Sequence, residues 1–126
     1  LIELVNNKLF SGKIIYLGGE INPNQMSSFG PATEKMLKEF YVDKAFVAVG
    51  GISIKHGITG CYGINEGSFS RKLIESSKEA IIVADHSKIG VRNFYKITDI
   101  ENVDVIICDK EPPNEWLNDL KINDIK

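Results

Sequence analysis

Ala80 to Ala84 is a run of apolar, β-favouring residues without alternation. That pattern predicts a strand buried on both faces, as strands are in a parallel sheet covered by helices. The run stops abruptly in Asp85-His86-Ser87-Lys88 before Ile89-Gly90. Lys13–Leu17 (KIIYL), Lys44–Val49 (KAFVAV) and Val103–Cys108 (VDVIIC) are apolar enough to predict further strands. Between them the apolar spacing turns helical. Gly30-Pro31 predicts a helix start, with proline in the first turn where its missing N–H costs little. Ala32, Met36, Leu37 and Phe40 then share one face. Asn65 to Ser77 predicts a second helix, with Phe69, Leu73 and Ile74 inward and Arg71, Lys72 and Glu75 outward. Gly67 weakens its first turn by about 1 kcal/mol relative to alanine. After Pro112-Pro113, Trp116, Leu117 and Leu120 mark one side of a last helix, and Ile122–Ile125 predicts a closing strand. Leu1–Val5 reads as the last turns of a helix, with a break at Asn6-Asn7. Asn22–Phe29 and Lys55–Gly60 read as loops, and Tyr95–Ile100 as either a short strand or a turn.

The resulting order is α-β-α-β-α-β-β-α-β. It predicts an α/β domain over residues 1–126, built on a Rossmann-like, mostly parallel sheet with helices on both faces. Leu1 is not a natural start, so the sequence reads as a piece of a longer protein.

Composition narrows the function classes. Apolar residues are 43% and charged residues 25% of the 126, values of an ordinary globular core-former. The net charge of −2 is spread over both signs without a basic patch, so this segment is not expected to grip nucleic acid by itself. Cys61 and Cys108 lie far apart and read as reduced thiols of a cytoplasmic protein. No apolar run approaches the roughly 20 residues of a membrane span, and no secretion signal is visible.

Ligands of open α/β sheets collect at the carboxyl ends of the strands. Polar or glycine-rich sequels follow the predicted strands at Gly18-Gly19-Glu20, Gly50-Gly51, Asp85–Lys88 and Cys108-Asp109. A parallel sheet would bring them to one crevice. Glycine amides and the Lys88 ammonium suit a phosphorylated ligand there. The same glycines also read as turn punctuation, and Asp85–Lys88 as a polar turn leaving a buried strand. Neither glycine pair fits a dinucleotide or P-loop pattern. His56 and His86 lack partners at metal-ligand spacing, so no metal and no cofactor are expected. Cys61 reads as a nucleophile or as a small loop residue. Glu66 reads as a ligand contact or as a helix-start carboxylate favoured by the macrodipole.

The motif order carries more than any one motif. Leu17-Gly18-Gly19-Glu20 precedes Phe29-Gly30-Pro31. Asp43-Lys44-Ala45-Phe46, Gly50-Gly51-Ile52, Gly57-Ile58-Thr59 and Glu66 follow. Then come Ala84–Gly90 and a strand ending in Cys108-Asp109. Over essentially the whole chain this resembles the C-terminal sensor domain of DeoR-family transcriptional repressors. The resemblance implies a fold shared with ribose-5-phosphate isomerase and CoA-transferases. It implies a phosphorylated sugar as effector and DNA contact only through an N-terminal winged helix-turn-helix; a homo-oligomer is expected as well, since an exposed apolar sheet edge and face invite self-association. Lys88 matches the phosphate-contacting lysine of the isomerases' Asp-x-Ser-Lys turn, and Asp85 its first residue. Asp43 and Glu66 fall near acidic positions of the isomerase crevice, and Gly18 and Gly19 match the family's Leu-Gly-Gly turn. The family's first strand and its Asp-x-Gly-Thr-Thr phosphate loop would precede Leu1, as would the DNA-binding domain. Its usual Thr-Asp after the late strand is Cys108-Asp109 here. An isomerase or CoA-transferase-like enzyme on the same fold, and a purely structural oligomerisation module, are the rival readings.

Overall fold

The computed structural model describes residues 11–60 and 63–126. The helix expected at Leu1–Val5 and the thiol of Cys61 lie outside them. In chain order, β1 (Glu20–Asn22) and β2 (Ser27–Phe29) form an antiparallel hairpin, followed by α1 (Pro31–Leu37). Next come β3 (Val42–Ala48), β4 (Gly51–Ser53), β5 (Gly57–Gly60), α2 (Ile64–Glu75) and β6 (Ser77–Val83). A 3-10 turn over His86–Lys88 leads to β7 (Tyr95–Thr98), β8 (Val105–Ile107) and α3 (Leu117–Ile122).

The expected parallel sheet has the order β3-β6-β8. Its centre is the uninterrupted apolar run, with Ala45 beside Ala80, Val47 beside Ile82, and Ile81 beside Val105. Ile82 is 0% and Ile81 5% exposed, so the central strand is buried on both faces as its pattern predicts. β3, by contrast, alternates: Ala45 and Val47 are buried while Phe46 is 62% exposed.

A second sheet, antiparallel and ordered β4-β5-β7, was not legible as such. The glycine punctuation of Lys55–Gly60 predicts a loop, yet Ile52 and Ile58 pair across a hairpin and are wholly buried. Its glycines serve two ends: Gly57 closes the hairpin turn at a φ of 72°, and Gly51 allows close approach. A Cβ on Gly51 would stand 2.4 Å from the Val91 carbonyl oxygen. The core lies between the two sheets and under α2, where Val47 and Ile82 meet Ile52, Ile58, Ile97 and Ile74.

Other departures have equally local causes. Lys13–Leu17 forms no strand, and Ile15 and Tyr16 are exposed. An apolar run becomes a strand only where another strand pairs with it, and among the described residues none does. Asn22–Phe29 is a hairpin because the Asn22 side chain accepts from the Asn24 amide at 3.1 Å and the Gln25 amide at 3.3 Å, turning the chain back. α1 buries Thr33 and Leu37 while Ala32 and Met36 face outward. The Thr33 hydroxyl, donating to the Gly18 carbonyl at 2.7 Å, sets that rotation. Tyr95–Ile100 resolves into β7 and a 3-10 turn. The expected closing strand is replaced by the end of α3, and only Lys126 pairs with the chain at β8.

α2 runs across both sheets, touching β3, β5, β6 and β7. Gly67 permits that approach: a Cβ there would lie 2.2 Å from the Tyr95 ring. Arg71 does not point away to solvent. Its guanidinium lies 5.2 Å from the Tyr95 ring centroid, and its Nε donates to the Ile97 carbonyl at 2.8 Å. The helix is thereby held on the small sheet with its N-terminus at the carboxyl edge of the parallel one.

Candidate functional site

That edge carries a crevice of about 380 Å³. β3 contributes Ala48 and the following Val49-Gly50, and β6 contributes Val83 and the following Ala84-Asp85. Lys88 comes from the 3-10 turn, and Gly63, Glu66, Gly67 and Ser70 from the start of α2. Gln25 reaches in from the tip of the β1–β2 hairpin. The fold therefore unites Lys88, Asp85 and Glu66 from well separated parts of the chain.

It does not unite them with Asp43. This residue is the second of β3, and the crevice begins at the last. At about 3.3 Å per residue the two lie roughly 16 Å apart. Asp43 instead shares the opposite, amino-terminal edge with Lys44, Glu79 and Asp104. A parallel sheet has one carboxyl edge, and a residue that opens a strand cannot reach it. Gly18 and Gly19 also lie outside the crevice lining. Gly19 packs against α1, since a Cβ there would meet the Thr33 hydroxyl oxygen at 1.9 Å. Cys108 and Asp109 line a separate, more apolar cavity with Ile89, Trp116 and Leu120. His56 lines neither.

The Asp85–Lys88 turn is closed by its own hydrogen bonds. The Asp85 carboxylate accepts from the Ser87 amide at 2.8 Å, and its carbonyl from the Lys88 amide at 3.0 Å. The Ile89 amide donates to the His86 carbonyl at 3.2 Å, and the Gly90 amide to the Ile52 carbonyl at 2.8 Å. The Gly50 amide is engaged as well, donating to the Thr59 carbonyl at 3.0 Å. The expected contribution of glycine amides at Gly50 is therefore closed. The positive charge on the described lining is the Lys88 ammonium, 3.9 Å from an Asp85 carboxylate oxygen. Ser87, by its side chain and then its amide, holds the Asp85 carboxyl below its ordinary range, with Lys88 adding a smaller effect.

Asp109 acts on the site from behind. It accepts the His86 amide at 2.6 Å on one oxygen and faces the His86 ring nitrogen Nδ1 at 2.7 Å with the other. Those bonds from His86 hold its carboxyl down from 3.8 to about 2. Because the folded value is the depressed one, the link supports the turn fully above pH 4 and is lost as pH falls toward 2. A carboxyl-carbon NMR titration should find the Asp109 midpoint near 2 and raise it part of the way toward the ordinary range in His86→Ala, which removes the ring bond and keeps the backbone amide of residue 86. A wild-type midpoint near 3.8 would show that the link does not form.

Sequence reasoning missed Gln25 and Ser70. Ser70 was findable, because Glu66 and Ser70 stand at i and i+4 and share a helix face. Gln25 left no signal, since only the hairpin turn brings it over the crevice. Among the described residues no group of three His, Cys, Asp or Glu side chains is placed to hold a metal ion, and no helix is long and apolar enough to cross a membrane.

Comparison with known proteins adds what geometry alone leaves open. Residues 2–110 match the family described as the DeoR C terminal sensor domain. The chain is similar to the HTH-type transcriptional repressor GlcR of Bacillus subtilis (strain 168), 33% identical over 114 residues that make up 90% of this chain and 43% of that protein. It is 35% identical over 99 residues to the transcriptional repressor AccR of Agrobacterium fabrum, covering 78% of this chain and 38% of the relative. It is 29% identical over 101 residues to the glycerol-3-phosphate regulon repressor of Escherichia coli (strain K12), covering 80% and 40%. The chain thus spans about two fifths of the length of these relatives. They are transcriptional repressors, not enzymes. With nearly its whole length matched and the strand-edge crevice in place, the chain belongs to the DeoR C-terminal sensor domain family.

Proposed function

We propose that this chain is the effector-sensing part of a cytoplasmic DNA-binding repressor of a sugar catabolic or phosphotransferase operon, and that its crevice takes a phosphorylated sugar. The observation that carries the reading is the placement of Lys88 beside Glu66 in one crevice at the carboxyl edge of the sheet. A cation there suits a phosphate, and carboxylate, amide and hydroxyl groups suit sugar hydroxyls. The volume of about 380 Å³ lies within the range of small-molecule sites. The names of the relatives support a regulator: each is a repressor, and one is named for a glycerol-3-phosphate regulon. DNA contact is assigned to protein outside this chain, whose net charge of −2 gives duplex DNA nothing to hold. Self-association belongs to the same proposal and draws support from the exposed apolar side chains of Phe46 and Ile107 on the parallel sheet.

Thermal unfolding of the full-length protein with a panel of sugar phosphates tests the reading. A ligand at 100 times its dissociation constant should add about 2.7 kcal/mol of stability, a shift of several degrees. The same compound should change operator binding in a gel-shift assay. Unshifted melting with every phosphorylated sugar would count against the effector class.

A further inference from the structure

Two kinds of bond fix the Asp85–Lys88 turn, and they do different things. Those within it, from the Ser87 amide to the Asp85 carboxylate and from the Lys88 amide to the Asp85 carbonyl, set its shape. Its place in the molecule depends on bonds to other elements. On the exit side the Gly90 amide reaches the Ile52 carbonyl of β4 at 2.8 Å, and Ile89 lies beside Ile52. On the entry side the paired residues of β6 and β8 end at Val83 and Ile107. The Ala84 amide donates to the Ile107 carbonyl at 3.1 Å, closing the main-chain ladder among the described residues. In a parallel ladder every second amide points to the same neighbour, so the next rung would run from the His86 amide to the Asp109 carbonyl. That rung is present, but its acceptor is the Asp109 carboxylate, at 2.6 Å. The second carboxylate oxygen lies 2.7 Å from His86 Nδ1. One side chain thus carries the sheet a rung past the point where its strands part, and it grips both the backbone and the ring of His86. Lys88 stands two residues further on.

Resting on the reading of the crevice as the effector site, we propose that Asp109 is a positioning residue for the effector phosphate: through His86 it holds the turn so that Lys88 stands in the crevice wall. Asp109 lines the Trp116 cavity and not the crevice, and its charge is of the wrong sign to meet a phosphate directly. It acts through the turn. Lys88 carries its charge at the end of a flexible stem, so the reach of the ammonium is set by where the backbone of the turn is held. A binding group left loose by its support loses affinity even when the fold is sound. The Asp109–His86 pair is about half exposed, and exposed pairs contribute little to global stability. The cost of losing it therefore falls on the turn.

Hydrogen exchange and phosphate affinity of the full-length protein test this together. In ligand-free Asp109→Ala the amides of the 86–88 turn should exchange faster, while those of β6 stay as slow as in the wild type. The same variant should bind inorganic phosphate severalfold more weakly, read at constant ionic strength from the rise of melting temperature with phosphate concentration. Its ligand-free melting temperature should stay close to that of the wild type. Asp109→Asn keeps an oxygen for the His86 amide and should restore most of both properties. Because Asp109 acts through Lys88, Asp109→Ala should cost nothing further in a Lys88→Ala background. Phosphate affinity unmoved by Asp109→Ala, while Lys88→Ala lowers it, would overturn the positioning role and leave the effector site standing. Unchanged exchange at the turn, or costs that add in the double variant, would overturn that role as well. A phosphate affinity unmoved by Lys88→Ala would overturn the effector site itself and the proposal with it.

Discussion

Lys88→Ala in the full-length protein is expected to weaken binding of the phosphorylated effector by roughly 10- to 100-fold. The magnitude is that of a lost charge-assisted hydrogen bond, about 1.5–3 kcal/mol. It should fall in the upper part of that range because the described lining holds no second cation, and because the amides of the 86–90 turn are already engaged. Among the described residues nothing replaces the ammonium. The fold should hardly notice the loss. The Lys88 side chain is 37% exposed, its ionic partner Asp85 stands 3.9 Å away, and exposed pairs of that kind contribute little. The expected signature is a split between a reduced effector response in calorimetry and gel shift and a melting curve of ligand-free protein that stays in place. Lys88→Arg, which keeps a cation, should recover part of the response. Full effector affinity in Lys88→Ala would remove this residue from the site.

The second large effect is on stability. Ile82→Ala should lower the free energy of unfolding by about 2–5 kcal/mol, the usual cost of emptying a fully buried aliphatic site. Ile82 is 0% exposed in the middle strand of the parallel sheet, beside Val47 and within the cluster joining both sheets to α2. Against a typical total of 5–15 kcal/mol for a domain, that is a large fraction. Urea unfolding would read it directly. A loss below about 1 kcal/mol would mean that the strand is not the centre of the core. The damage should reach the site, because β6 runs straight from Ile82 into Val83, Ala84 and Asp85 of the crevice wall.

The His86–Asp109 link connects these two arguments. It ties Asp109, two residues past the end of β8, to the first residue of the turn that carries Lys88, while the Gly90–Ile52 bond ties the far end of the turn to β4. The turn therefore bridges both sheets, and Cys108, beside Asp109, leaves that bridge intact.

Local pattern settled the parts of this protein that depend on nearest neighbours in the chain. The apolar run from Ala80 without alternation signalled β6 and the parallel sheet: Ala80, Ile81 and Ile82 are buried, and the run reaches the surface only at its end, where Val83 is 39% exposed. The break into Asp85-His86-Ser87-Lys88 determined where the site edge lies, and motif order determined the family. Tertiary structure decided whatever depends on a partner remote in sequence. Lys13–Leu17 had strand composition but no pairing strand among the described residues. Ile52 and Ile58 lay in short, glycine-rich stretches whose pairing is visible only across a hairpin. Asp43 had the right chemistry at the wrong end of its strand, since chain direction relative to the sheet edge is a property of the assembled sheet. Gln25 entered the crevice because an Asn22 side chain turned the backbone above it. A sequence displays its periodicities and its chemistry one residue after another, but a binding site is made by distances between elements, and those exist only once the elements have packed.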